Sequence, residues 1–178
     1  KYIMDKGGFH VSGACYPEVH MEAKDAVDDI KNLKKKVDAG ADHLISQLFF
    51  DNRVFYDFLE RARIADINVP IEAGIMPVTS KSQIERMVTM CGASIPASLS
   101  RIMQRYESNP EALRDAGIAY AINQIIDLAA NGVDGVHIYT MNNRAEAFWM
   151  KKGILGDTVP LELNAKELAH RNNKNSEL

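Results

Sequence analysis

Two stretches of the chain gather side chains that could handle a bound molecule. The first is CYPEVH, which brings Tyr16, Glu18 and His20 together just after an apolar run. A phenol, a carboxylate and an imidazole can pack on a ring, accept a hydrogen bond or move a proton. The second is ISQLFF, where Gln47 is a long amide among apolar neighbours. An amide offers a donor and an acceptor together, so it can read the edge of a heterocycle; on a buried strand it can equally pair with backbone. Further on, GIMPVTSKSQ carries Pro77 and Gln83, and YTMNNR carries Tyr139, Asn142, Asn143 and Arg144. Each has a plain structural reading beside the functional one. His20 can be a loop or capping histidine, Glu18 a loop carboxylate, Tyr139 a core aromatic with its hydroxyl at the rim, and Cys15 a small core residue. His20, His43 and His137 fall on separate segments without metal-ligand spacing, and nothing specific supports a Ser-His-Asp triad.

A polar stripe adds a third feature. Asp25, Asp29, Asn32 and Lys36 are spaced by four, three and four residues, so on a helix they share one face, with Lys35 nearby. Such a face is either solvated or laid along a ligand. Asp accepts sugar hydroxyls and Lys meets a pyrophosphate, a combination suited to an elongated nucleotide cofactor.

These residues need elements to place them. Residues 9–16, FHVSGACY, read as a short strand bounded by Gly7-Gly8 and Pro17. Helix is predicted from about Asp25 to Ala39, where Ala26, Ile30, Leu33 and Val37 form an apolar stripe and Gly40 follows as a left-handed cap. HLISQLFF, residues 43–50, reads as a second strand, and Asn52 as the cap of a helix that turns Phe55, Phe58, Leu59 and Ala62 inward. PIEAGIMPV, residues 70–78, is the third strand. Thr79 or Ser80 can cap a helix beginning near Lys81, and a second helical piece holds Leu99, Ile102, Met103 and Tyr106. Asn109-Pro110 restarts the chain as a helix running to about Asn131, with Leu113, Ile118, Ala121, Ile122, Ile125 and Leu128 inward. GVHIYTM, residues 135–141, is the fourth strand, and a last helix spans roughly 143–152.

Apolar strands alternating with helices imply parallel crossovers with both sheet faces covered. No G-x-G-x-x-G or P-loop follows any strand. An open doubly wound sheet or a piece of a barrel remains. Four parallel strands cannot close alone, and an eight-unit barrel takes about 250 residues. The expected fold class is α/β, part of a parallel β/α (TIM) barrel with about four strand-helix units. Residues 1–153 are assigned to the half-barrel and 154–178 to a polar, partly disordered tail. Tyr2, Ile3 and the glycine pair read as the end of an earlier helix, which makes the chain a fragment.

Composition narrows the classes. With 46% hydrophobic and 25% charged residues, the 178-residue chain can bury a sizeable core. A net charge of −3 gives no electrostatic case for nucleic acid. No apolar run approaches the roughly 20 residues that span a bilayer, and the first residues, KYIMDKGG, lack a signal-peptide apolar core. Cys15 and Cys91 are too few for a disulfide framework. The expectation is a cytoplasmic protein in a reducing setting.

Taken together, AxYPEVHxEA, DxxNLKxKVDAGAD, QLFFD, GIMPV and HIYTMN resemble methylenetetrahydrofolate reductase in order and spacing over roughly residues 9–150. The resemblance implies an eight-stranded β/α barrel that holds FAD at the C-terminal ends of its strands, with this chain as the last four units. It implies reduction of 5,10-methylenetetrahydrofolate to 5-methyltetrahydrofolate by a ping-pong route, in which a nicotinamide reduces the flavin, leaves, and folate takes the hydride. NADH is expected ahead of NADPH, because little chain follows the last helix. Folate is the expected partner and a homo-oligomer the expected assembly. By this resemblance Tyr16, His20 and Ala23 bind the flavin, while Asp29, Asn32, Lys35 and Lys36 hold its ribose and pyrophosphate. Gln47 meets nicotinamide and folate in turn, Gln83 contacts substrate after the seventh strand, and Tyr139 and Arg144 fall near the folate contacts after the eighth.

Three departures follow. The family reads YTLNR where this chain reads YTMNNR, so either Asn143 or Arg144 takes the arginine position. Met87 stands where some members carry a mobile phenylalanine. The first four strands have no counterpart, and with them go a glutamate that protonates folate and an aspartate near the flavin; Glu18 and Glu72 sit in other motifs. No catalytic residue and no metal ligand is therefore expected here. The parent protein is expected to be the reductase, and this part of it inactive alone. The alternative is a half-barrel acting as a binding or assembly module, its open strand edges pairing two copies. An unrelated β/α enzyme using Gln47 and His20 otherwise is the third reading.

Overall fold

The computed structural model describes residues 2–140. Helix starts are set by local caps. Asp25 opens α1 (Ala26–Asp38) by accepting the Asp28 N–H at 2.8 Å. Asp51 opens α2 (Asn52–Ile64) by accepting from Arg53 N–H at 3.0 Å. Ser80 caps α3 (Lys81–Cys91) through the Gln83 N–H at 3.2 Å. The short α4 (Ala97–Arg105) follows Pro96. Asn109 caps α5 (Pro110–Ala130) through Ala112 N–H at 3.1 Å, with Pro110 in the first turn. Each cap satisfies an N–H that a helix leaves unpaired. Two expectations change. Asn52 does not cap α2, because its Nδ2 donates across to α5, to the Gln124 carbonyl at 3.0 Å and Asp127 Oδ2 at 2.7 Å. Asp25 leaves the polar stripe of α1 to become its cap.

Four strands alternate with these helices: β1 (Ser12–Cys15), β2 (His43–Ser46), β3 (Ile71–Ile75) and β4 (Gly135–Ile138). They form one parallel sheet in the order β1-β2-β3-β4, with Ser12 opposite His43, Leu44 opposite Ile71 and Glu72 opposite Gly135. Spatial order follows chain order without the reversal that marks a doubly wound sheet. Four parallel strands in that order, the first three each followed by helix, are a stretch of β/α barrel wall. The helix expected at 143–152, the boundary at 153 and the tail 154–178 lie outside the described residues.

The strands are shorter than the apolar runs that announce them. Leu48, Phe49, Phe50, Met76 and Val78 are buried beyond the strand ends. One core lies between sheet and helices, where Cys15, Leu44, Ile71, Ala73 and Ile75 meet Leu33 of α1, Phe55 and Phe58 of α2, and Ile118, Ala121, Ile125 and Leu128 of α5. Phe49 stacks on Phe55 with centroids 4.9 Å apart. A second core covers the loops after β2 and β3, with Leu48, Phe50, Met76 and Val78 under Ile84 and Met87 of α3 and Leu99 of α4. Met87 is thus part of an apolar cluster.

The opposite sheet face is polar and more open. Ser12 and Ala14 are exposed, and half-buried Glu72 lies between His43 Nε2 at 3.4 Å and His137 Nδ1 at 3.9 Å. At the outer edge, Val11 and Cys15 give their carbonyls to Asp42 and Gln47 N–H groups on the β2 side. Alternation along the ladder turns the Ala14 carbonyl away from β2. Lys36 Nζ donates to it at 2.8 Å, and a lysine in this position blunts an unpaired edge.

Close helix-to-loop packing is set by Gly117 of α5. A Cβ at this position would lie 1.7 Å from the Val78 carbonyl oxygen. Gly117→Ala is expected to cost about 3 kcal/mol of stability by forcing α5 off the loop after β3, read as a lower midpoint in urea unfolding; an unchanged midpoint would remove this contact from the account of the fold.

Candidate functional site

The sequence-predicted residues are collected at the C-terminal ends of the strands by the register of the sheet. Buried Ser46, the last residue of β2, is the joint. Its Oγ accepts the Gly74 N–H of β3 at 2.8 Å, and its carbonyl accepts the Tyr139 hydroxyl at 2.9 Å. Gln47 follows immediately. The expectation placed it within the strand; it stands one residue beyond, because its Oε1 takes the Leu48 N–H at 2.9 Å and ends the ladder. Its own N–H still reaches Cys15 O at 2.8 Å. Among the described residues the Gln47 Nε2 has no partner. Tyr139 sits just past β4, and its N–H donates to Ile75 O at 2.8 Å. Burial, followed by the neighbouring Cys15, Cys91 and Tyr16, pushes the Tyr139 phenol above its usual range, so the hydroxyl stays a donor.

Beside this rim, the β1–α1 loop presents Tyr16 and His20, whose rings meet edge to face at 4.4 Å. His20 Nδ1 accepts the Glu22 N–H at 3.1 Å, and Ala23 N–H donates to the His20 carbonyl at 2.9 Å. Lys36 Nζ lies 5.7 Å from the Tyr16 ring centroid, within cation–π range. Lys35 donates to Asn32 Oδ1 at 2.9 Å, and Asn32 Nδ2 to Asp28 Oδ2 at 3.3 Å. The structure therefore brings Tyr16, His20, Ala23, Asp29, Asn32, Lys35 and Lys36 together on the β1–α1 unit, next to Gln47 and Tyr139.

Gln83 is placed differently from a free substrate contact. In the first turn of α3, its Oε1 accepts from both the Thr79 N–H at 2.8 Å and the Thr79 hydroxyl at 2.9 Å. Its own N–H donates to Ser80 Oγ at 3.2 Å, so both its backbone and its side-chain carbonyl are engaged at the start of α3. Asn142, Asn143 and Arg144 lie outside the described residues. Among the described residues no group of three or more His, Cys, Asp or Glu side chains could hold a metal ion. Sequence reasoning missed the contact of Glu18 with the Ser94 N–H, 3.0 Å from each carboxylate oxygen, and that of Arg61 Nη2 with the Pro17 carbonyl at 3.2 Å. Both span long chain separations and leave no local pattern.

Two titrations test this electrostatic picture. Burial raises the Asp29 carboxyl above its ordinary value of 3.8, only partly offset by a His20 backbone hydrogen bond and by Lys36. The folded state then holds the proton more tightly than the unfolded chain, and stability falls as pH rises through the raised value. Asp29→Asn is expected to raise the thermal midpoint at neutral pH, with the gain vanishing below 3.8, where both side chains are neutral. Burial likewise pushes the Cys15 thiol up to about 12. Native Cys15 should therefore resist iodoacetamide at mildly alkaline pH and react only on unfolding; rapid alkylation mapped to Cys15 itself, and not to half-buried Cys91, would contradict its placement.

Comparison with known proteins now adds to the geometry. The family model for methylenetetrahydrofolate reductase matches residues 1–151. The 5,10-methylenetetrahydrofolate reductase of Escherichia coli K12 is 40% identical over 144 residues, covering 81% of this chain and 48% of that protein. The Pectobacterium carotovorum enzyme of the same name is 38% identical with the same coverage. Arabidopsis thaliana methylenetetrahydrofolate reductase (NADH) 1 is 36% identical over 152 residues, 26% of its length. The chain thus spans at most about half the length of these curated relatives. A solved structure of an uncharacterized Clostridium thermocellum protein, described as binding two copies of 5-methyl-5,6,7,8-tetrahydrofolic acid, shares the fold with a TM-score of 0.60 at 20% identity. That match covers 82% of this chain and 52% of the other. On the family match across the strands and loops that carry the site, the chain belongs to the methylenetetrahydrofolate reductase family.

Proposed function

We propose that the chain supplies the half of a reductase barrel that faces flavin and substrate, with β1–β4 as barrel strands five to eight. The observation that carries this reading is the convergence of Tyr16, Gln47 and Tyr139 at the C-terminal ends of β1, β2 and β4 of one parallel sheet, alongside the polar face of α1, in a chain of this family. The complete protein would reduce 5,10-methylenetetrahydrofolate to 5-methyltetrahydrofolate with electrons from NADH or NADPH. The name of the Arabidopsis relative supports NADH.

The donor set suits FAD. Asp29 can accept ribose hydroxyls, Asn32 can bridge, and Lys35 and Lys36 can meet the two phosphates. Tyr16, His20 and Ala23 complete the flavin side. When bound, the flavin supplies hydride transfer between nicotinamide and folate. The chain's own residues bind and orient. Gln47 offers donor and acceptor to whichever ring occupies the site, and protonated Tyr139 holds the rim through Ser46. Gln83 is assigned to the folate, as is Arg144 or Asn143 after β4, where a cation would favour the glutamate tail.

Proton donation is assigned to no residue of β1–β4. Glu18 is engaged by Ser94, and Glu72 lies between two histidines near the N-terminal end of β3. The chain alone therefore binds without turning over. A second reading, a half-barrel module that assembles with another, is favoured by the exposed Ser12 and Ala14 on the edge strand. Among the described residues no helix is long and apolar enough to cross a membrane. We assign the complete protein to the cytoplasm as a homo-oligomer.

Titration of the chain with FAD is expected to quench flavin fluorescence with saturation at about 10–100 µM, with no oxidation of NADH in the presence of folate substrate. Absence of quenching throughout that range would sink the flavin reading. In a full-length protein carrying these units, Gln47→Ala should retain FAD and lower kcat/KM of folate reduction by about tenfold or more. Loss of FAD instead would place Gln47 on the cofactor.

A further inference from the structure

The loop between β1 and α1 is held in a conformation its sequence does not favour. Val19 sits at φ 74°, where a β-branched residue is a genuine outlier. The turn around it is closed by the Val19 N–H, which donates to the Tyr16 carbonyl at 3.2 Å. Two residues pin the loop just before the bend. Glu18 reaches the linker between α3 and α4, where both its oxygens lie 3.0 Å from the Ser94 nitrogen. Arg61 of α2 donates from Nη2 to the carbonyl of buried Pro17 at 3.2 Å, and its buried Nε has no partner among the described residues. The bend these contacts hold separates Tyr16 from His20, whose rings nonetheless touch.

We propose that Glu18 and Arg61 are positioning residues: they clamp the strained bend at Val19 and so keep His20 against Tyr16 in the arrangement that receives the flavin. The inference rests on the reading of Tyr16 and His20 as flavin contacts. Neither clamp residue touches the reacting atoms. Tyr16 is fixed at the strand end by the sheet, whereas His20 lies past the bend and depends on it. Without the clamps Val19 relaxes to a negative φ, and the imidazole leaves the phenol ring. The Glu18 contact acts through an acceptor oxygen in a given place, which a glutamine carbonyl can also supply.

The test uses the 178-residue chain with Glu18→Ala and Glu18→Gln, read in two ways. One readout is the nuclear Overhauser contact between the Tyr16 and His20 rings, and the other is FAD affinity by flavin fluorescence. Glu18→Ala should abolish the ring contact and weaken FAD about tenfold, with helix content unchanged by circular dichroism. Glu18→Gln should restore the ring contact and most of the affinity. Arg61→Met should reproduce the loss of the ring contact from the other side of the loop. A ring contact that survives Glu18→Ala overturns the proposal, as does a failure of Glu18→Gln to rescue it. If the unmodified chain takes up no FAD, the flavin reading fails by itself, and the ring contact still decides the positioning claim.

Discussion

Strands β2 and β3 approach at Ser46 and Gly74 more closely than any side chain at position 74 would permit. A Cβ there would lie 2.2 Å from the Ser46 carbonyl oxygen and 2.8 Å from the Tyr139 ring. The missing side chain lets Ser46 bond the Gly74 N–H and turn its carbonyl toward the Tyr139 hydroxyl. One buried serine therefore ties together β2, β3 and the residue after β4. Gln47 and Tyr139 each stand one residue past a strand end, so their separation is set by register and not by loop conformation. A site built in this way inherits the rigidity of the sheet.

The β1 side of the site is organised on other terms. Here the chain accepts local penalties: a valine at positive φ, a half-buried aspartate whose carboxyl is raised by burial, and a guanidinium nitrogen buried without a partner among the described residues. They lie together on or against one strand-helix unit. The two apolar clusters under α2, α3 and α5 are where the compensation lies, through large side chains such as Phe49, Phe55, Phe58 and Leu128 that are fully buried. Penalties gathered at one end of a well-packed framework are the usual distribution for a binding site.

Much of this is legible in the sequence, because the signals are local. Ser80, Asn109 and Pro110 mark helix starts within a single turn. The inward residues of α5 obey helical spacing, and all of those expected inward are buried or packed on the core. Strand ends were harder. Leu48 to Phe50 and Met76 to Val78 continue the apolar runs but belong to loops beneath α3 and α4, and hydrophobicity alone does not separate a strand from a buried loop. Caps and clamps set by distant partners were invisible. Asn52 is drawn to α5 some 72 positions away, and Glu18 to a backbone N–H 76 positions away. The residues proposed to face a flavin stand in contiguous motifs and can be named from the sequence; the residues that hold the loop around them cannot, because their partners come from other units.

The outer edge of β1 is closed by one ammonium. Lys36 covers the Ala14 carbonyl with a flexible side chain, while the main chain behind it already has strand geometry. Extending the sheet at this edge would exchange one hydrogen bond for another and leave every backbone torsion of β1 as it stands. At this edge the described sheet thus carries a reversible stopper, and the same cation joins the edge of the sheet to the polar face of the helix beside it.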